Sequence, residues 1–183
     1  MQSRLILSEK LFDITINRLC FELIENHDDF SSSVIIGLQP RGIYLAKRIA
    51  DHLRGFLPGK EILQGNLDIT FFRDDFRRRE NVIVPSATQI DFIIENKKVI
   101  LVDDVLYTGR TIRAAMDALL AFGRPDRVEL LTLINRKFSR HLPIEPNYTG
   151  KAIDTIMSDK VRVTWKETDG TDEVWLFTQD KEE

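Results

Sequence analysis

The sequence predicts an α/β domain whose central sheet is mostly parallel and is covered by helices on both faces. Three observations lead there. Val34 to Leu38 and Val99 to Val102 are short, continuous apolar runs, as found in strands buried on both faces. Each is followed by a stretch with helical apolar spacing. Between each run and its helix lies a loop of unusual composition, Gln39-Pro40-Arg41-Gly42 in one case and Asp103 to Thr111 in the other. Alternating strands and helices imply a parallel sheet, and such sheets bind ligands beyond the carboxyl ends of their strands. Both loops fall at that edge, so the site is located before any motif is read.

The elements follow in order. Phe12, Ile16, Leu19 and Leu23 share one face of a first helix from about Ser8 to Asn26, with Ser8 as N-cap. The Val34 strand comes next, then a second helix from near Ile43 that turns Ala46, Ala50 and Leu53 to the core. After a turn containing Gly55, Pro58 and Gly59, Leu67 to Phe72 alternates like a strand. Arg73 to about Asp91 is polar and without period, a long loop or flexible hairpin of the kind that is uncommon unless functional. The Val99 strand runs into Asp103-Asp104 and a helix carrying Ile112, Ala115, Met116, Leu119 and Leu120 on one face, stopped by Gly123 and Pro125. A strand from Val128 to Ile134 follows. Val161 to Trp165 and Val174 to Phe177 are β-type runs joined by a turn at Asp169-Gly170.

A chain of 183 residues with 43% hydrophobic content suits one domain with a proper core. No apolar stretch approaches the roughly 18 residues that cross a bilayer, and the N-terminus does not read as a signal peptide. The single cysteine, Cys20, excludes an intramolecular disulfide framework and suits a reducing cytoplasm. Its apolar helical setting marks it as a buried structural thiol. With 26 basic and 29 acidic residues the net charge is −3, which argues against a general nucleic-acid coat. His27, His52 and His141 lack ligand spacing and are expected at the surface or at helix ends.

The chemistry concentrates in Val99-Ile-Leu-Val-Asp103-Asp104-Val-Leu-Tyr107-Thr108-Gly109-Arg110-Thr111. This is a strand, two adjacent carboxylates, and a small hydroxyl- and glycine-containing loop opening a helix. The helix N-terminus offers backbone N–H groups to one phosphate. Gly109 permits close approach, and Thr108 and Thr111 add hydroxyls. Carboxylates beside a phosphate cradle are intelligible if they accept sugar hydroxyls or hold Mg²⁺. A lone Asp-Asp is ordinarily a solvated turn and a lone Thr-Gly only a cap; the ordered combination carries the reading.

That segment resembles the phosphoribosyl-pyrophosphate motif of type I phosphoribosyltransferases. Its wording is close to the pyrimidine-operon attenuation regulators that are also uracil phosphoribosyltransferases, the PyrR family. Gly37-Leu38-Gln39-Pro40-Arg41-Gly42-Ile-Tyr-Leu-Ala-Lys-Arg resembles that family's pyrophosphate loop and following helix. Asp68-Ile-Thr-Phe-Phe-Arg73-Asp74-Asp75 resembles the approach to its flexible loop, and Leu142-Pro-Ile with Tyr148-Thr-Gly150-Lys151 resembles its hood.

The resemblance implies a type I phosphoribosyltransferase fold over residues 1–183, with a hood from about 140 onward plus the N-terminal segment and a flexible loop at about 73–91. It implies that Asp103 and Asp104 meet the ribose hydroxyls, directly or through Mg²⁺, and that Tyr107, Thr108, Gly109, Arg110 and Thr111 hold the 5-phosphate. Gln39, Pro40, Arg41 and Gly42 would bind pyrophosphate, in a loop where relatives often have a cis, non-proline peptide. Arg73, Asp74 and Asp75 would begin a loop that closes over the reacting centre and excludes water, with Arg77-Arg78-Arg79 near it.

Lys151, Ala152 and Ile153 would form the base site, although Asp154 stands where the family usually has proline. In purine-salvage members an aspartate precedes the Thr-Gly of the motif. Here that place is Tyr107, a phenol whose ordinary pKa of about 10 makes it a poor base at neutral pH, so uracil is favoured.

The implied partners are phosphoribosyl pyrophosphate, uracil, UMP or UTP, an mRNA hairpin and further copies of the chain. Support for RNA from the residues themselves is confined to Arg18 on the first helix and to Arg136, Lys137, Arg140 and His141. That cluster reads more readily as a solvated loop, and Glu145 stands where relatives place a basic residue. A nucleotide-sensing RNA-binding regulator with little catalysis, or a hypoxanthine/guanine phosphoribosyltransferase, are the alternative readings.

Overall fold

The computed structural model describes residues 2–72 and 87–178. Arg73, Asp74 and Asp75, with Arg77-Arg78-Arg79, lie outside the described residues. The chain runs β1 (Gln2–Leu7), α1 (Glu9–His27), β2 (Ser33–Leu38), α2 (Gly42–Phe56), β3 (Gln64–Leu67), β4 (Lys98–Leu106), α3 (Arg110–Leu119), β5 (Arg127–Lys137), β6 (Tyr148–Asp154), β7 (Lys160–Thr164), α4 (Lys166–Asp169) and β8 (Glu173–Thr178).

β3, β2, β4, β5 and β6 lie side by side in that order, all parallel, as the central sheet. Strand side chains alternate between faces, and the apolar runs divide accordingly. Ile35, Ile100, Val102, Leu131 and Leu133 pack with α1 and α2, while Val34, Ile36, Val99, Leu101 and Leu130 pack with α3. The mostly parallel, two-faced sheet expected from the apolar runs is therefore what forms.

The small second sheet, ordered β1-β8-β7, is antiparallel and joins the two ends of the chain. Trp165, fully buried at its edge, meets Phe12 of α1 edge-on at 5.3 Å. Arg48 of α2 reaches both Glu167 and Asp172 at 2.7 Å, fastening the small sheet to the large one. Cys20 is buried, as expected, and His27 ends α1 inside the protein, bound to Ser33, Glu129 and Tyr148. Among the described residues no helix is long and apolar enough to cross a membrane.

Two local expectations are corrected. Leu67 to Phe72 is not one strand: β3 ends at Leu67, and Thr70–Phe72 is a 3₁₀ turn. The cause is Asp68, whose Oδ1 accepts the Thr70 N–H at 2.9 Å and the Thr70 hydroxyl at 2.6 Å, a side-chain turn that competes with the ladder. On α3, Ile112, Ala115 and Leu119 are buried, but Met116 and Leu120 are 40% and 69% exposed. Ala114 and Ala118 take their place, because the small side lets the helix lie close on the sheet.

Candidate active site

After β2 the chain passes through α2 to β3 on one side, and after β4 it passes through α3 to β5 on the other. α2 and α3 also cover opposite faces. The sheet thus reverses its winding between β2 and β4, and a crevice opens there beyond their carboxyl ends. Both singled-out loops sit at this point.

On the β2 side, the Gln39 N–H donates to the Leu67 carbonyl at 3.0 Å and its side-chain amide to the Ala87 carbonyl at 2.8 Å. The peptide in this loop that is cis is Gln39–Pro40, an X–Pro bond. Arg41 occupies the N-cap of α2. Gly42 is buried against β4, where a Cβ would meet the Val102 carbonyl oxygen and lie 3.0 Å from the Asp103 Cα. Only glycine lets α2 start this close to the carboxylates.

On the β4 side, Asp103 and Asp104 are still within the strand. The Asp104 N–H donates to Asp103 Oδ1 at 3.0 Å, and Arg41 Nε lies 3.9 Å from Asp104 Oδ2. Burial pushes the Asp104 carboxyl above the usual range, against a pull from Arg41. Such a carboxylate gains from further positive charge or hydroxyl donors. Among the described residues no three His, Cys, Asp or Glu side chains gather as a metal cage. Two adjacent carboxylates at the end of β4 are an oxygen donor set that fits a hard divalent cation keeping most of its waters.

The next turn, Tyr107–Gly109, opens α3, with Gly109 as N-cap at φ +90°. That left-handed backbone suits glycine. Thr108 Oγ1 accepts the Arg110 N–H at 3.5 Å, Thr108 and Thr111 are half-buried, and Arg110 is exposed.

The β5–β6 connection braces this turn. The Arg140 guanidinium donates to the Leu106 carbonyl at 3.3 Å and also to the Tyr107 carbonyl, while the His141 N–H donates to the Thr108 carbonyl at 3.0 Å. Ile144 and Leu142 lie against Gly109. Arg136 is buried, donating to Thr155 at 3.0 Å and the Ile156 carbonyl at 3.0 Å, with its guanidinium 3.9 Å from the Tyr107 ring centre. Arg136 and Arg140 are thus internal struts, which corrects the reading of a solvated loop. Their partner carbonyls are distant in sequence, so no local pattern announces them.

Beside the Tyr107–Gly109 turn lies a cavity of about 510 Å³ whose lining includes Tyr107, Arg136, Met157, Asp159, Lys160 and Val161. The Tyr107 hydroxyl donates to the Met157 carbonyl at 3.3 Å. Lys151, Ala152 and Ile153 lie on β6, in register with Ile134, Asn135 and Arg136. Ile153 is part of the core and the Lys151 ammonium is 3.4 Å from the Ile6 carbonyl. Of the three, Ile153 is the register partner of Arg136, which lines this cavity. The structure brings together Gln39 to Gly42, Asp103, Asp104 and Tyr107 to Thr111.

Comparison with known proteins accords with this geometry. The model of the phosphoribosyl transferase domain family matches residues 5–168. The chain is 47% identical over 161 residues to the bifunctional protein PyrR of Desulfosudis oleivorans, covering 88% of each. It is 40% identical over 180 residues to that of Bacillus cereus, covering 96% of this chain and 98% of the relative. A hypoxanthine phosphoribosyltransferase structure from Staphylococcus aureus superposes with a TM-score of 0.69 at 19% identity, over 93% of this chain and 90% of that one. The Trypanosoma cruzi hypoxanthine enzyme gives a TM-score of 0.69 at 12% identity, over 94% and 95%. At those identities the superpositions establish the fold. With the domain match, the near full-length relatives and a glycine-containing turn, carboxylate pair and facing loop at the switch point, the chain belongs to the phosphoribosyltransferases and, among them, to the PyrR family.

Proposed function

We propose that the chain transfers the phosphoribosyl group of phosphoribosyl pyrophosphate to uracil, giving UMP and pyrophosphate. The observation that carries this is the meeting of the two loops between β2 and β4, with Arg41 3.9 Å from Asp104 and the Tyr107–Gly109 turn on the same edge. The turn and the α3 N-terminus hold the 5-phosphate through N–H groups and the Thr108 and Thr111 hydroxyls. Asp103 and Asp104 accept the ribose hydroxyls and are the residues that would hold Mg²⁺. When bound, that ion offsets charge on the leaving pyrophosphate.

Uracil N1 forms its bond to the anomeric carbon as the carbon–oxygen bond to pyrophosphate breaks. The electron pair leaves with pyrophosphate, and the N1 proton passes to solvent or product. Arg41 and the Gln39–Gly42 backbone stabilise the departing charge. The catalytic work is positioning and charge stabilisation.

The base enters beside Tyr107, in or next to the cavity that Arg136 borders, with Lys151, Ala152 and Ile153 on the neighbouring strand. A phenol in place of an acid at Tyr107 favours a pyrimidine. The relatives' name, bifunctional protein, accords with a second role, which we take to be UMP- or UTP-responsive binding of pyrimidine-gene mRNA by a cytoplasmic homo-oligomer. Arg136 and Arg140 are committed to internal contacts, and Arg18 donates to the Thr149 and Gly150 carbonyls at 3.0 and 2.6 Å. An RNA surface would therefore rest on other basic residues. Comparing kcat/KM for uracil, hypoxanthine, guanine and orotate tests the base assignment. Uracil is expected to lead by at least about a hundredfold, well within the roughly 10⁴-fold that a site hydrogen-bonding its substrate can reach; a lead by either purine overturns it.

A further inference from the structure

We propose that Asp169, the last residue of α4 between the two C-terminal strands, is a positioning residue for Arg41 of the pyrophosphate loop. This rests on the reading that Arg41 binds pyrophosphate. Asp169 is separated from Arg41 by most of the chain, yet its Oδ2 accepts an Arg41 Nη2–H at 3.2 Å. On the same Nε/Nη2 edge the guanidinium also faces Asp104, with Nε 3.9 Å from Oδ2. One edge of Arg41 therefore meets a carboxylate from the hood and a carboxylate from β4.

A long side chain that is 39% exposed has many rotamers, and a planar fork held at one end loses most of them before ligand arrives. Asp169 is itself fixed. Its Oδ2 accepts the Trp165 N–H at 3.1 Å and the Thr168 hydroxyl at 2.8 Å, and its Oδ1 accepts from Arg162 at 3.2 Å. Trp165 in turn is buried against Phe12 and Arg48. The hood is thereby coupled to the leaving-group end of the site through one ion pair. The Trp165 N–H first, then the Thr168 hydroxyl and the two guanidinium groups, hold the Asp169 carboxyl well below the usual range. It stays ionised throughout an assay near neutral pH.

The test is a double-mutant cycle in the full-length protein, using Asp169→Asn, Arg41→Ala and the pair. The amide keeps an acceptor for the Trp165 N–H and loses the charge that orients Arg41. Asp169→Asn is expected to raise KM for phosphoribosyl pyrophosphate on the order of tenfold, the scale of coupling between contacting charged groups. KM for uracil and the melting temperature stay unchanged, and Asp169→Asn causes no further loss when Arg41 is already alanine.

An unchanged or lowered KM for phosphoribosyl pyrophosphate overturns the proposal; a fall would mean that Asp169 withholds Arg41 from the ligand. An equal loss in both backgrounds also overturns it, because Asp169 would then act without Arg41. If Arg41→Ala leaves this KM unchanged, the pyrophosphate reading of Arg41 fails first and the proposal with it. Should the amide variant not fold, Asp169→Glu, which keeps the charge but displaces it by one methylene, is expected to give the same selective rise.

Discussion

Replacing Gly42 with alanine tests whether the two loops must sit as close as they do. The added Cβ would lie 3.0 Å from the Asp103 Cα and 3.2 Å from the Val102 carbonyl carbon, with the Val102 carbonyl oxygen nearer still. Ordinary contact begins at 3.4 Å, and every offending atom is backbone, so no side chain can swing aside. The start of α2 must retreat from β4 by several tenths of an ångström at least, taking Arg41 with it. Overpacking of this kind costs about 1–3 kcal/mol, which lowers Tm by roughly 2–4 °C per kcal/mol at this size. The functional cost is larger, since a misplacement of about 1 Å at a reacting centre loses roughly a hundredfold. We expect kcat/KM for phosphoribosyl pyrophosphate to fall by about ten- to a hundredfold, measured by UMP formation alongside a thermal melt. A destabilised Gly42→Ala protein with unchanged kcat/KM for phosphoribosyl pyrophosphate would refute the claim that the approach of α2 to β4 sets the geometry of the site.

Three further outcomes are expected. Arg140→Ala removes donors to the Leu106 and Tyr107 carbonyls; charge-assisted bonds of this kind contribute about 1.5–3 kcal/mol. Kinetics should show the loss mainly as a higher KM for phosphoribosyl pyrophosphate, and a change confined to KM for uracil would contradict the bracing role. Tyr148→Phe removes a buried hydroxyl that donates to Glu129 at 2.7 Å and lies 3.0 Å from His27 Nε2. Urea unfolding should register a loss of about 1–3 kcal/mol, with activity unchanged because this network lies at the amino end of the sheet, away from the crevice. Burial, opposed by Glu129, lowers the pKa of His27 from its ordinary 6.5. Just below that pH the unfolded chain binds a proton that the folded chain does not, so this contribution is complete above 6.5 and declines as pH falls. His27→Gln should flatten the change in urea midpoint between about pH 7 and about pH 5.5, and an unaltered slope would count against it.

The central sheet and the place of the crevice were legible because buried parallel strands write themselves as continuous apolar runs, and Val34–Leu38 and Val99–Val102 are such runs. The loops after them were legible because glycine, hydroxyl and acidic residues at strand ends have few structural uses together. β1 and β6 were not. Gln2-Ser3-Arg4 is exposed and pairs only with the far end of the chain. β6 carries Gly150, whose Cβ position is filled by the Leu133 carbonyl, together with exposed Lys151 and Ala152. Neither strand has an apolar alternation of its own; each is made by its partner. The same applies to Arg136, Arg140 and Asp169, whose roles depend on carbonyls and a guanidinium brought in by the fold.

The most direct test of the account is UMP formation from uracil, phosphoribosyl pyrophosphate and Mg²⁺ by the wild-type chain and by Asp104→Asn, with UMP binding measured on both. The account predicts steady turnover by the wild type and a loss of at least about a hundredfold in the variant, the scale of removing one group that stabilises transition-state charge. Tight UMP binding by the wild type without turnover, or turnover undiminished in Asp104→Asn, would contradict it.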